Sequence, residues 1–79
     1  MELHIISPDG NKKFFMQWVE LETEVGNFVI QPGHAPTLLT LIPNHDIIFL
    51  DKDGEQHSIS IAYGIADITR EKISIITND

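Results

Sequence analysis

The chain has 79 residues, 42% of them hydrophobic, and its 12 acidic residues against 5 basic ones give a formal charge of −7. A surface of that sign repels phosphate backbones and anionic headgroups, which argues against nucleic-acid binding and electrostatic membrane docking and favours basic partners. With no cysteine, disulfide frameworks, thiolate metal sites and cysteine nucleophiles are excluded, and a reducing cytoplasm suits the chain best.

The first apolar run, Leu3-His4-Ile5-Ile6, stops at Ser7-Pro8-Asp9-Gly10. Proline fixes φ and glycine accepts positive φ, so this tetrapeptide predicts a turn. Met1 to Pro8 have neither the basic start nor the apolar run of a signal peptide. No later stretch approaches the roughly 20 apolar residues that span a bilayer, so a soluble, unprocessed chain of one domain is expected.

Asn11 to Val25 contains neither glycine nor proline and reads two ways. Phe14, Trp18, Leu21 and Val25 share one face of a helix, with Gln17, Glu20 and Glu24 opposite. A strand instead needs Val19 and Leu21 inward, Glu20 and Glu22 outward, and a phase slip near Trp18 of the kind a β-bulge supplies. Periodicity alone leaves both open.

Beyond it, Asn27-Phe28-Val29-Ile30 ends at Gln31-Pro32-Gly33. Thr37 to Ile42 alternates poorly and is too apolar for one buried face, which predicts an exposed patch and hence an interface. Ile47-Ile48-Phe49-Leu50 ends at Asp51-Lys52-Asp53-Gly54, and the Asp-Gly pair predicts a tight type I′ hairpin. Ile59 and Ile61 then alternate with Ser58, Ser60 and Ala62. Tyr63-Gly64 interrupts, Ile65 to Ile68 resumes, Arg70-Glu71-Lys72 forms a charged hairpin tip, and Ile73 and Ile75 belong to a last strand. Short strands at this spacing, rich in β-branched residues, predict an all-β sandwich or barrel.

The residues that carry chemistry are sparse. His4, His34, His45 and His57 show no ligand spacing, so a metal site is not expected. His45-Asp46 lacks a nucleophile in a recognisable motif beside it. Gly26 and Gly33 lack the following Lys-Ser/Thr of a phosphate-cradling loop. Glu20, Glu22 and Glu24 share one face of a strand, either solvated or set against a basic partner. Pro32-Gly33 and Pro36 read as backbone devices that steer the chain into a strand near Thr37.

The stretch from Gly26 to Leu39, with Pro32-Gly33-His34-Ala35-Pro36 at its centre, resembles the epsilon-subunit signature of F-type ATP synthases. The flanks are collinear with it. Leu3 to Gly10 is similar to the family's opening Val-Ile-Ser-Pro-Asp-Gly, Asp53-Gly54 falls at a family hairpin, and Ile73 to Asp79 is similar to its closing strand. The resemblance implies a flattened β-sandwich of about ten short, mostly antiparallel strands, with Asn11 to Val25 extended. It also implies a non-catalytic subunit without a cofactor, at the foot of the central stalk. Such a subunit binds the gamma subunit and the ring of c subunits, and reaches the membrane only through the complex, on the cytoplasmic side. On this likeness His34, Ala35, Thr37 and Leu38 face gamma, and the acidic loop Thr23, Glu24, Val25, Gly26 and Asn27 faces the c-ring.

Departures from the pattern are local. Ala62-Tyr63-Gly64 replaces a Ser-Gly-Gly step, Pro43-Asn44 replaces Pro-Gly, and Thr23 and Val29 stand where Pro or Gly and Gly are usual. The family's C-terminal helical hairpin, a brake on the enzyme, has no counterpart after Asp79, so inhibition by that route is not expected. The rival readings are a stand-alone protein-binding sandwich that has left the synthase, a ligand- or carbohydrate-binding sandwich, which would group its aromatics on one face, and an enzyme, for which no motif is present.

Overall fold

Strands joined by turns and short irregular loops make up residues 1–78, which the computed structural model describes. The eight strands are β1 (Glu2–Ser7), β2 (Gly10–Thr23), β3 (Gly26–Ile30), β4 (Thr37–Thr40), β5 (His45–Asp51), β6 (Gln56–Ile61), β7 (Gly64–Ile68) and β8 (Lys72–Thr77). Asp79, the end of the family-like closing segment, lies outside the described residues.

β2 resolves the ambiguity of Asn11 to Val25. Met16 and Val19 are both buried although three residues apart, a spacing that puts side chains on opposite faces of a regular strand. The register against β5 shifts between Met16 and Trp18, and this bulge at Gln17 brings both inward. Val19, Leu21 and Thr23 then follow at period two and are buried, while Val25, which the helical pattern would have buried, is 82% exposed. Cross-strand pairing overrides the helical periodicity.

The bulge also lets one strand serve two sheets. The first half of β2 pairs antiparallel with β1, from Glu2↔Phe15 to Ser7↔Gly10. Its second half pairs with β5 and β3. One sheet therefore runs β4-β7-β8-β1-β2, and the other joins β3, β2, β5 and β6. β1 and β8 are parallel, and every other named pair is antiparallel. Leu41, just past β4, bridges to Thr23, and Ile42 N–H donates to the Glu22 carbonyl at 3.0 Å, which ties the two sheets at one corner. The result is flattened, 27 × 26 × 18 Å. Phe49, Leu3, Leu21, Ile30, Ile68 and Ile73 are its largest fully enclosed side chains.

The architecture is the expected all-β sandwich, with eight strands described rather than about ten. Part of the difference is that Gly10–Thr23 runs as one long bent strand. The β5–β6 turn differs in type from its expectation. Gly54 has φ 86°, but Asp53 is not at positive φ, so a type I′ turn is absent. Gly54 N–H reaches the Asp51 carbonyl at 3.1 Å and Asp51 N–H reaches that of Glu55 at 2.9 Å. That is a three-residue loop with glycine at the left-handed bulge position.

Candidate functional site

The His34 loop is built by its backbone. Gly33, at φ 84°, bends the chain so that His34 N–H donates to the Gln31 carbonyl at 3.2 Å. Gly33 N–H meets the Arg70 carbonyl at 3.2 Å, which fastens this loop to the β7–β8 tip. The half-buried His34 ring keeps Nδ1 2.7 Å from the Ala35 carbonyl oxygen. Ala35 is exposed, Thr37 is half-buried, and Leu38 is 68% exposed on β4 opposite Asp67.

The acidic loop sits at the other end of β4. Thr23 is buried, donates its hydroxyl to the Gly26 carbonyl at 2.9 Å and accepts from Val25 N–H at 3.2 Å. Gly26, at φ 132°, completes the turn, and Asn27 donates its side-chain amide to Glu22 at 2.8 Å. The turn thus holds Glu24 and Val25 out into solvent. Glu24 lies beyond β2, so only Glu20 and Glu22 share the strand's outer face. The two predicted groups are not brought together. β4 separates them, with Thr37 at one end and the Leu41–Thr23 bridge at the other.

Between them lies an apolar face that the chain-order reading did not single out. Cross-strand register places Thr40, Ile65, Ile76 and Ile6 in one row over four neighbouring strands. All are on the solvent side, and Ile65, Ile76 and Ile6 are 43%, 48% and 37% exposed. Tyr63 and Leu38 flank the row, both more than half exposed. An apolar groove lined by Glu24, Tyr63, Ile65 and Ile76 joins the row to the acidic loop. The signal was in the chain: Ile5-Ile6 and Ile75-Ile76 are doublets, and in an alternating strand one member of each must face outward.

Elsewhere the polar groups have structural partners. The Ser60 hydroxyl, 2.7 Å away, and that of Ser58, at 2.9 Å, donate to Asp46 and hold its carboxyl below the usual range. His57, 2.8 Å from Asp51, lowers that carboxyl most, aided by the backbone N–H groups of Glu55 and Asp53. Asp51, Glu55 and His57 bring three possible ligand atoms within 4.8 Å of one another, a grouping that sequence spacing did not suggest. Both Asp51 oxygens already close the β5–β6 turn. His57 stacks on Phe49, with ring centroids 4.8 Å apart. No helix among the described residues is long and apolar enough to cross a membrane.

The described surface thus combines exposed carboxylates, an exposed apolar face and two anchored loops at its borders. The family model for the ATP synthase delta/epsilon chain β-sandwich domain matches residues 1–79. The chain is 27% identical over 77 residues to the ATP synthase epsilon chain of Bacillus licheniformis, and 26% identical to that of Bacillus subtilis. The match takes in 96% of this chain and 57% of each relative, so the chain spans little more than half their length. In fold it is similar to a chain of the Tetrahymena thermophila mitochondrial ATP synthase central stalk/c-ring structure. That likeness has a TM-score of 0.84 at 16% identity, over all of this chain and 63% of the other. A Euglena gracilis mitochondrial ATP synthase chain gives 0.82 at 19% identity, over 95% and 48%. The sequence therefore belongs to the ATP synthase delta/epsilon-chain β-sandwich family.

Proposed function

We infer that this chain is a non-catalytic subunit of an F-type ATP synthase rotor, which links the gamma subunit to the c-ring and so couples ion flow to ATP synthesis. The carrying observation is the isoleucine row over β7, β8 and β1, flanked by Leu38, in a family of synthase chains. A small domain gains nothing in solution by exposing such a row, so its natural state is a covered one. Gamma docks on this face and on His34, Ala35, Thr37 and Leu38 beside it. The loop from Thr23 to Asn27 turns toward the c-ring, with Glu24 and Val25 at its tip. Acidic flanks orient a basic partner and speed encounter, while the apolar row supplies the area that holds it. Membrane association is then indirect, through the assembled complex.

The experiment is co-expression with gamma and the catalytic alpha and beta subunits of one organism. The wild-type chain is expected to co-purify with gamma, and Leu38→Asp and Ile76→Asp to be lost from the complex while keeping the far-ultraviolet spectrum of the wild type. Equal recovery of all three proteins would remove the assignment of this face. A folded wild type that ignores gamma at micromolar concentration would instead favour a stand-alone binding module.

A further inference from the structure

The side of the sandwich away from the isoleucine row ends in an unprotected strand edge. Among the described residues β6 pairs only with β5. Asp51 N–H donates to the Glu55 carbonyl, and antiparallel pairs alternate from there. Phe49–His57, Ile47–Ile59 and His45–Ile61 are therefore the pairs that exchange hydrogen bonds. The N–H and C=O groups of Gln56, Ser58 and Ser60 point away from β5, toward open space.

Free edges invite strand pairing, and proteins blunt them with proline, lysine, bulges or short length. β4 is four residues long, lies between Pro36 and Pro43, and has its end tied to Thr23. β3 is five residues long and closed by Gly26 and Pro32. β6 has none of these devices over Gln56–Ile61, and its register with β5 is unbroken. A cleft of about 370 Å³ runs beside it, with Ile59, Ser60 and Ile61 on one wall and Ser7, Asn11 and Lys12 on the other.

Charge selects the occupant. Asp46 lies one strand in from the edge, and the two serines that hold it are its cross-strand neighbours, Ser58 and Ser60. Both are short, so a long basic side chain on an added strand can lie over them and reach the carboxylate. A second copy of this chain would bring another −7 to the same edge. We propose that β6 is a strand-addition site for an extended peptide segment with arginine or lysine at alternate positions, its backbone pairing with Gln56, Ser58 and Ser60 and its basic side chains directed to Asp46. Main-chain pairing supplies the affinity and the carboxylate the selectivity.

This site is separate from the gamma-facing surface and is tested on the isolated chain, so its failure leaves the rotor assignment standing. The probe is the capped hexapeptide Thr-Arg-Val-Arg-Val-Thr, titrated into the isotope-labelled chain and read by amide shifts. Shifts centred on Gln56–Ile61 are expected. Ser58→Pro places proline where its missing N–H faces outward, a position edge strands tolerate. It is expected to weaken binding about tenfold or more, the scale of one or two lost hydrogen bonds. Asp46→Asn is expected to weaken it about three- to tenfold and to flatten its salt dependence. Because a variant can misfold, the same peptide N-methylated at alternate amides is run against the wild type and is expected not to bind. The site is overturned by absent binding at millimolar peptide, by shifts centred on Ile65 and Ile76, by equal binding of the N-methylated or a glutamate-for-arginine peptide, or by sedimentation showing that the edge pairs copies of the chain.

Discussion

At the scale of single residues, three carboxyl groups tie pH to stability. Glu2 is held below its ordinary value by His4 first and Lys13 after, Asp46 by Ser60 and Ser58, and Asp51 by His57 and two backbone N–H groups. A depressed folded-state pKa means that the unfolded chain takes up protons first as pH falls. The contribution is complete above the unfolded values, 4.5 for Glu2 and 3.8 for the two aspartates, and is lost as pH drops through the lower folded ones. The melting temperature is therefore expected to be level near neutrality and to fall below about pH 4, with Asp51→Asn shallowing that fall in a pH series of thermal melts. Gly64 gives a steric test. A Cβ there would stand 3.2 Å from Ile61 Cγ2 and 3.3 Å from the Ile76 carbonyl oxygen and Leu41 Cδ1. Gly64→Ala is expected to cost about 1–3 kcal/mol in urea unfolding, because two of those neighbours belong to the packed core and the third to the backbone.

At the scale of elements, the bulge at Gln17 holds the register of β2. Pairing the same residues without the bulge would turn Val19 and Leu21 outward, since a one-residue slip exchanges the faces of a strand, whereas removing Gln17 leaves Met16 and Val19 two positions apart and both inward. Deletion of Gln17 is expected to keep amide dispersion and the pairing with β5 and to cost about 1–3 kcal/mol in urea unfolding, because the bend that carries β2 between the sheets is lost. Gln17→Ala, which removes only a 3.1 Å bond to the Asp51 carbonyl, is expected to cost under about 1 kcal/mol. The same element shows what a sequence can and cannot convey. The turns at Ser7-Pro8-Asp9-Gly10 and Asp51 to Gly54, and the alternation of Ser58, Ile59, Ser60 and Ile61, were legible because local chemistry decides them. The choice between helix and strand for Asn11 to Val25 was not, because the partners that decide it, β1, β5 and β3, are distant in the chain. The β5–β6 turn type was not legible for a related reason: an Asp-Gly pair accepts several loop geometries, and the Asp51 carboxylate and the strand register select one. Of the candidate site, the Pro32-to-Pro36 loop and exposed Leu38 were visible in the sequence. The isoleucine row was not assembled from it, because a row across four strands exists only once the registers of β7, β8 and β1 are fixed.

For the molecule as a whole, small size makes the core decisive. A domain of this length has a stability of about 4–12 kcal/mol on the general per-residue scale. Phe49 has no exposed surface and contacts the Phe14 and His57 rings at centroid distances of 4.8 Å each. Phe49→Ala is expected to remove about 3–5 kcal/mol, enough to leave the chain largely unfolded at 37 °C, as circular dichroism melts would show. The parallel pairing of β1 with β8, in which Leu3 neighbours Ile73 and Ile5 neighbours Ile75, has a further consequence during synthesis. A ribosome delivers Leu3 long before Ile73 exists, so the earliest strand must wait, its greasy side uncovered, until the strand that pairs with it has been made. The sandwich therefore closes only after β8 has left the exit tunnel, and until then the nascent chain is a natural client for holdase chaperones.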